Sequence, residues 1–195
     1  EGGFNIKPFF NSISTLVKGK IGPNGGNKII INDEIAFNKN SSNKSFLSTR
    51  ILSKKFNAIR VVKGPQYDYF SKLSQKEFFS SNYKVTNLTD RMGMRLEGQR
   101  IKNIISTNIR SEGIAKGAIQ IPADGQPIIL LNDHPTIGGY PKIAYIISAD
   151  YDSLVQTKPG TNLSFECIEL EEAEKLYKEK QDKISKIINS IREIN

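Results

Sequence analysis

The sequence predicts a mainly β fold of the α+β class: a closed or nearly closed β-barrel followed by an amphipathic helix. Two observations carry this. From "NAIRVV" (57 to 62) to "KIAYIISAD" (142 to 150), five or more apolar runs of strand length are each bounded by Gly, Pro, Asn or Asp, with little helical text between them. Closure of such a sheet removes its exposed edges. The last 26 residues, "LEEAEKLYKEKQDKISKIINSIREIN", then switch period. They place Leu170, Ala173, Leu176 and Tyr177, then Ile184, Ile187, Ile188, Ile191 and Ile194, on one helical stripe, with acidic residues leading at the N-terminal end, where they favour the helix dipole. That stripe is expected to lie on the barrel or on a partner.

Residues 1 to 37 read as short strands joined by glycine turns, and look like the end of a preceding β subdomain. "NKNSSNKSFLSTR" (38 to 50) is polar, without periodicity, and reads as a connector. The expected division is therefore 1–50 for the subdomain end plus connector, and 51–195 for the barrel with its helix. Within the second part, "NAIRVV" is a strand ending at the turn "KGPQ". "SQKEFFSS" is a short helix with its opening serine as N-cap. "YKVTNLTDRMGMRLEG" is strand, polar turn and strand, closed by Gly98. "GAIQIP", "QPIILLND" and "KIAYIISAD" supply three more strands.

Composition narrows function by exclusion. The chain of 195 residues is 37% hydrophobic and 25% charged, and no apolar run approaches the ~20 residues that span a bilayer. A membrane span is not expected. The net charge of +8 arises wholly in residues 1 to 63, with 11 Lys+Arg against 3 Asp+Glu; the rest balances at 17 against 17. The excess sits in Lys- and Asn-rich text without interleaved aromatics or a reading helix, so a solvated surface is expected and nucleic acid is not. Cys167, the only cysteine, alternates with Leu163 and Phe165 in "LSFECIEL" and reads as a buried small apolar residue. With no signal segment in view, a cytoplasmic setting is expected.

One His and one Cys exclude metal sites built on histidine clusters or paired cysteines. "GPNGGNKI" (22 to 29) approaches a phosphate-binding loop but carries Asn27 and Ile29 where that loop needs Gly and Ser or Thr. No G-x-S-x-G occurs to anchor His134 as a base, and a histidine beside a proline at a strand end reads as a turn residue. Arg91 and Arg95 in "TDRMGMRLEG" can lie on one side of an extended segment, where two forks suit a carboxylate or phosphate; pairing with Asp90, Glu97 or a neighbouring strand is the equal alternative. Gly138 and Gly139 permit positive φ or close approach by another backbone or a ligand.

Four segments, "RVVKGPQ" (60 to 66), "TDRMGMRLEG" (89 to 98), "SEGIAKGAIQIPADGQPIILLNDHPTIGGYP" (111 to 141) and "DYDSLVQTKPG" (150 to 160), together resemble the carboxyltransferase A/B, or allophanate hydrolase subunit 2, family. That family includes the C-type subunit of bacterial ATP-dependent 5-oxoprolinase, the Kip antagonists and the equivalent segment of urea carboxylase. Residues 1 to 35 resemble the family's middle segment, without the N-terminal portion that precedes it. The resemblance implies a cyclophilin-like β-barrel. It also implies a subunit acting with a B-type, Kip-inhibitor-like subunit and an A-type 5-oxoprolinase subunit to open the 5-oxoproline lactam to glutamate, with ATP as cofactor of the complex. In that setting Arg91, Arg95 and Asp133 are the expected catalytic or anion-binding residues. Gln66, Gln120, Thr136, Gly138, Gly139 and Tyr140 are the expected substrate contacts. Biotin enters only under a urea carboxylase-like alternative, in which the same groove passes a carboxyl group from carboxybiotin to an amide-like nitrogen. A Kip-antagonist-like protein that binds a kinase inhibitor is the regulatory alternative. Pro135 stands where relatives often carry a polar residue, which removes positions 134 and 135 from the expected contacts.

Overall fold

A computed structural model describes residues 3–39, 46–48 and 58–194. The chain divides into two compact units, Glu1–Leu47 with Glu193–Asn195, and Ser48–Arg192. In the first unit the expected strands are reduced, among the described residues, to isolated bridges, Phe4 with Phe37, Phe9 with Ser12 and Leu16 with Ile21. Of residues 3–39 only Gly26 is buried. Strands gain stability by burying one face, and Phe10, Ile30, Ile31 and Phe37 remain exposed here. The connector expected at 38 to 50 lies largely outside the described residues; its Phe46–Ser48 forms β1, paired with β12 (Arg192–Ile194).

The second unit is a barrel. β2 (Ile59–Lys63), β3 (Tyr83–Thr89), β4 (Gly93–Gly98), β6 (Ala118–Gln120), β7 (Ile128–Leu130), β9 (Lys142–Ile146), β10 (Asn162–Leu163) and β11 (Phe165–Cys167) form one sheet in the order β10-β3-β4-β7-β6-β9-β2-β11. β5 (Glu112–Gly113) and β8 (Ile137–Gly138) pair as a separate two-stranded piece. The ends of the eight-stranded order are neighbours in sequence. At Ser164 the chain passes from β10, antiparallel to β3, to β11, parallel to β2, and the Ile59 amide donates to the Ser164 carbonyl at 2.8 Å. One extended stretch, 162 to 167, thus serves both edges and nearly closes the barrel. Closure is why short strands suffice: among the described residues no long edge of this sheet is left unpaired.

β2, β3 and β4 bury alternate residues, as one-sided sheets do. Tyr83 and Val85 on β3, and Met94 and Leu96 on β4, face a core completed by Val61, Ile119, Ile129, Ile143 and Phe165. α1 (Lys72–Ser80) seals one end by stacking Phe78 on Phe165, with centroids 4.8 Å apart and planes at 10°. Its N-cap is Ser71, not Ser74: the Ser71 hydroxyl accepts the Ser74 amide at 3.1 Å, so the cap lies three residues before the expected serine.

Two features escape a reading of the sequence. "SAD", expected to close a strand, opens α2 (Ser148–Val155) instead. Its Asp150 is wholly buried and accepts the Arg60 backbone amide at 3.1 Å and Nε at 2.8 Å, tying the helix to β2. α3 (Leu170–Asn189) stops at Asn189, so Ile194 falls in β12 instead of the helix. α3 docks through its first two turns, where Ala173 and Leu176 pack with Ile147 and Ile168; farther along, Tyr177, Ile184 and Ile188 stay exposed. Lys180 Nζ meets Asp152 of α2 at 2.6 Å. No helix among the described residues is long and apolar enough to cross a membrane. Cys167 is half-buried at the end of β11, and burial pushes its thiol pKa up.

Candidate functional site

A buried lysine organises a polar cluster inside the second unit. The β6–β9 ladder pairs Ala118 with Tyr145 and Ile119 with Ala144, then slips by one residue. Gln120 therefore faces Lys142, where unbroken register would place Ile143. A bulge of this kind re-aims side chains. Directly opposed residues share a sheet face, so Gln120 and Lys142 point the same way, 5% and 1% exposed.

Gly64 in "KGPQ" makes the next contribution. Its amide donates to the Ile143 carbonyl at 2.9 Å, and a Cβ there would stand 2.3 Å from the Lys142 carbonyl oxygen. Only glycine lets the chain leaving β2 press so closely on β9. The turn then presents Gln66, whose Oε1 accepts the Lys142 amide at 3.2 Å while its Nε2 donates to Glu112 Oε1 at 2.8 Å. Glu112 Oε1 also accepts from Lys142 Nζ, closing a Gln66–Glu112–Lys142 triangle. Glu112 is 44% exposed. The Lys142 ammonium, and after it the Gln66 amide, hold the Glu112 carboxyl below the usual carboxylate range.

β8 covers this cluster. Gly138 is register partner to Glu112, and a Cβ on Gly138 would stand 2.8 Å from Gln120 Nε2. Neither Gly138 nor Gly139 takes a positive φ, so the first of the pair serves close approach. Gln120 Nε2 is buried, with no hydrogen-bond partner among the described residues. An amide nitrogen without an acceptor forfeits about 1–3 kcal/mol of desolvation. Ammonium and amide donors thus converge on a place where Glu112 supplies the carboxylate, and such an arrangement suits an acceptor-only group: a carboxylate, a carbonyl or a developing oxyanion. Gly138→Ala is expected to cost only about 1 kcal/mol in denaturant unfolding, because the obstructed atom ends a flexible side chain. Ligand binding at the cluster should fall far more, since the Gln120 amide must turn aside.

Of the residues expected from sequence, Gln66, Gln120 and Gly138 come together here. Thr136 and Tyr140 are exposed on the same connection; the Thr136 carbonyl accepts the Ile114 amide at 3.1 Å, and that of Gly139 accepts Ile109 at 2.8 Å. Arg91 follows the pairing alternative. It lies in the turn between β3 and β4, not on the strand with Arg95, and its fork clasps Asp133, Nε to Oδ2 at 2.6 Å and Nη2 to Oδ1 at 3.0 Å. Arg91 holds the Asp133 carboxyl below its ordinary range. Arg95 is exposed on β4. With Arg91 70% exposed, Arg91→Ala is expected to change unfolding free energy by less than about 1 kcal/mol; a loss several times larger would place the pair in the folding balance. His134 is a turn residue, with Nδ1 2.6 Å from the Pro135 carbonyl. Lys142 and Glu112 were not singled out in the sequence. The available signal was a lysine opening an otherwise apolar strand, "KIAYII".

The glycine-rich turn 22 to 27 does not fit a phosphate. Cβ atoms on Gly22 and Gly26 would stand 2.5 Å from the Ser14 oxygen and 2.2 Å from the Lys20 carbonyl carbon, so both glycines are spent against the chain's own backbone.

Residues 1–167 match the family described as carboxyltransferase domain, subdomain A and B. The chain belongs to that family. Among its relatives, the C-type subunit of 5-oxoprolinase from Escherichia coli (strain K12) is 36% identical over 182 residues, covering 92% of this chain and 58% of that protein. The Haemophilus influenzae protein of the same name is 32% identical, covering 97% and 62%. This carboxyltransferase-domain chain thus spans about three fifths of the length of these two relatives. Urea amidolyase of Saccharomyces cerevisiae is 29% identical over 93% of this chain and 11% of its own length. Among solved structures, the Kluyveromyces lactis urea amidolyase superposes with a TM-score of 0.82 at 24% identity, over 95% of this chain and 13% of its own, and supports the fold alone. The structure of TTHA0988 gives 0.65 at 28% identity over 85% of this chain and 31% of its own.

Proposed function

We propose that this chain is the C-type subunit of an ATP-dependent 5-oxoprolinase, acting with A- and B-type subunits to open the 5-oxoproline lactam to glutamate. The observation that carries the reading is the likeness to two proteins named as C-type subunits of 5-oxoprolinase, over more than nine tenths of the chain. The donor-rich cluster supports it chemically. 5-Oxoproline carries a carboxylate and a lactam carbonyl, both acceptors; Lys142 suits the first and the idle Gln120 amide the second. Gln66 orients the lysine, Gly138 lies against the Gln120 amide, and Thr136 and Tyr140 are exposed on the same connection. Arg95 stands as a further anion-binding candidate at the surface, and Arg91, whose fork Asp133 occupies, as a lesser one. Because the glycine-rich turn is closed on itself, ATP is assigned to the complex and not to that turn. The full-length protein mixed with its A- and B-type partners should hydrolyse ATP only when 5-oxoproline is added, and release glutamate. No glutamate under those conditions would sink the reading.

Carboxyl transfer is the second reading. It is favoured by the likeness to urea amidolyase and by a cluster that accepts a carboxylate as readily as a lactam. Biotin belongs to this reading only. Transfer of carboxyl from carboxybiotin to urea, without an A-type subunit, would promote it.

A further inference from the structure

Glu112 sits where a ligand's oxygen would be expected. Lys142 Nζ and Gln66 Nε2 both donate to the same carboxylate oxygen, Oε1. Those two donors reach it from different elements, β9 and the turn after β2, while Glu112 itself arrives from β5, which pairs with β8 outside the eight-stranded sheet. The ammonium is buried but its carboxylate is nearly half exposed, so the lysine's charge is matched by a group that water can solvate once another anion takes its place on the ammonium. The neighbouring Gln120 nitrogen, equally buried, has no such acceptor among the described residues. Glu112 satisfies one part of a donor cluster and leaves the other part waiting.

We infer that Glu112 is an internal stand-in for the substrate's anionic group: it occupies Lys142 and Gln66 in the free protein and is displaced when a carboxylate enters and also engages Gln120. This rests on the reading that the Lys142–Gln120 cluster is the substrate seat, and goes beyond it by naming the residue that sets the affinity of that seat. Displacement exchanges one ion pair for another, with no covalent change. A free lysine would bind any anion avidly; a resident carboxylate makes entry a competition, won by ligands that also supply a second acceptor at the correct distance for Gln120.

The test is calorimetric titration of the full-length protein with L-5-oxoproline, bicarbonate and uncharged 2-pyrrolidinone. Glu112→Gln keeps the side chain's size and removes its charge. It should bind at least one of the two anions about ten-fold more tightly than wild type, with 2-pyrrolidinone unchanged, and Lys142→Met should abolish the anion binding. If Glu112→Gln binds neither anion more tightly than wild type, absence of binding included, the stand-in is overturned. A gain for bicarbonate without one for 5-oxoproline retains the stand-in and removes the lactam reading. A second measurement needs no variant. In wild type the Glu112 carboxyl, followed by carbon-13 resonance, is expected to titrate below the ordinary range because Lys142 and Gln66 favour its ionised form. The stability this pairing adds is present above the unfolded-state pKa and lost as pH falls through the folded-state value. A bound anion should move that titration up towards the ordinary glutamate range; a titration unmoved by a bound anion overturns the proposal.

Discussion

Lys142→Met is expected to lower kcat/KM for 5-oxoproline in the reconstituted complex by about 10²–10³-fold, the scale on which a preorganised donor in a dry site acts. It should do so without loss of stability. The ammonium is 1% exposed, and taking such a charge out of water offsets much of what its ion pair returns, so an apolar side chain of similar volume is neutral or stabilising there. Glu112, left alone, is solvated enough to stay ionised. The pair of readouts decides the matter: activity lost with an unchanged or raised Tm marks a functional lysine, whereas activity and Tm lost together mark a structural one. Unchanged activity would move the substrate seat elsewhere.

Asp150→Ala is expected to give the largest fall in stability, about 3–5 kcal/mol in denaturant unfolding, or roughly 10 °C in Tm for a chain of this size. Asp150 is fully buried and holds Arg60 by its backbone amide and by two side-chain nitrogens, Nη2 at 2.5 Å among them. Removing it strands a guanidinium whose side chain is only 17% exposed. The Arg60→Met, Asp150→Leu double variant should recover most of the loss, because it removes both charges instead of one. A cost below about 1 kcal/mol for the single variant would mean that Arg60 reaches water unaided.

The contrast between these two ion pairs shows why one polar cluster was legible in the sequence only in part. The family resemblance points to Gln66 and Gln120, and the structure brings them together around Gly138. Lys142 and Glu112 were missed because, read along the chain, a lysine at a strand start and a glutamate beside a glycine are ordinary surface residues. For Arg91 and Arg95 the sequence left two readings equal, a shared face and pairing with a neighbouring strand. The turn at Asp90–Met92 takes Arg91 out of the strand, and Asp133, 42 positions away, claims its fork.

By itself the sequence determined the local content of the barrel. Alternating burial on β3 and β4, glycine and proline at the strand ends, and the helical period from Leu170 are properties of neighbouring residues, and they survive as expected. Tertiary structure alone decided that the stretch around Ser164 would serve both edges of the sheet, that Asp150 would open a helix and bury itself against Arg60, and that a one-residue slip between Ile119 and Gln120 would turn Lys142 beside Gln120. The physical reason is the same each time. Burial of a charge or closure of an edge depends on partners tens of residues distant, and a period of two or 3.6 carries no record of them.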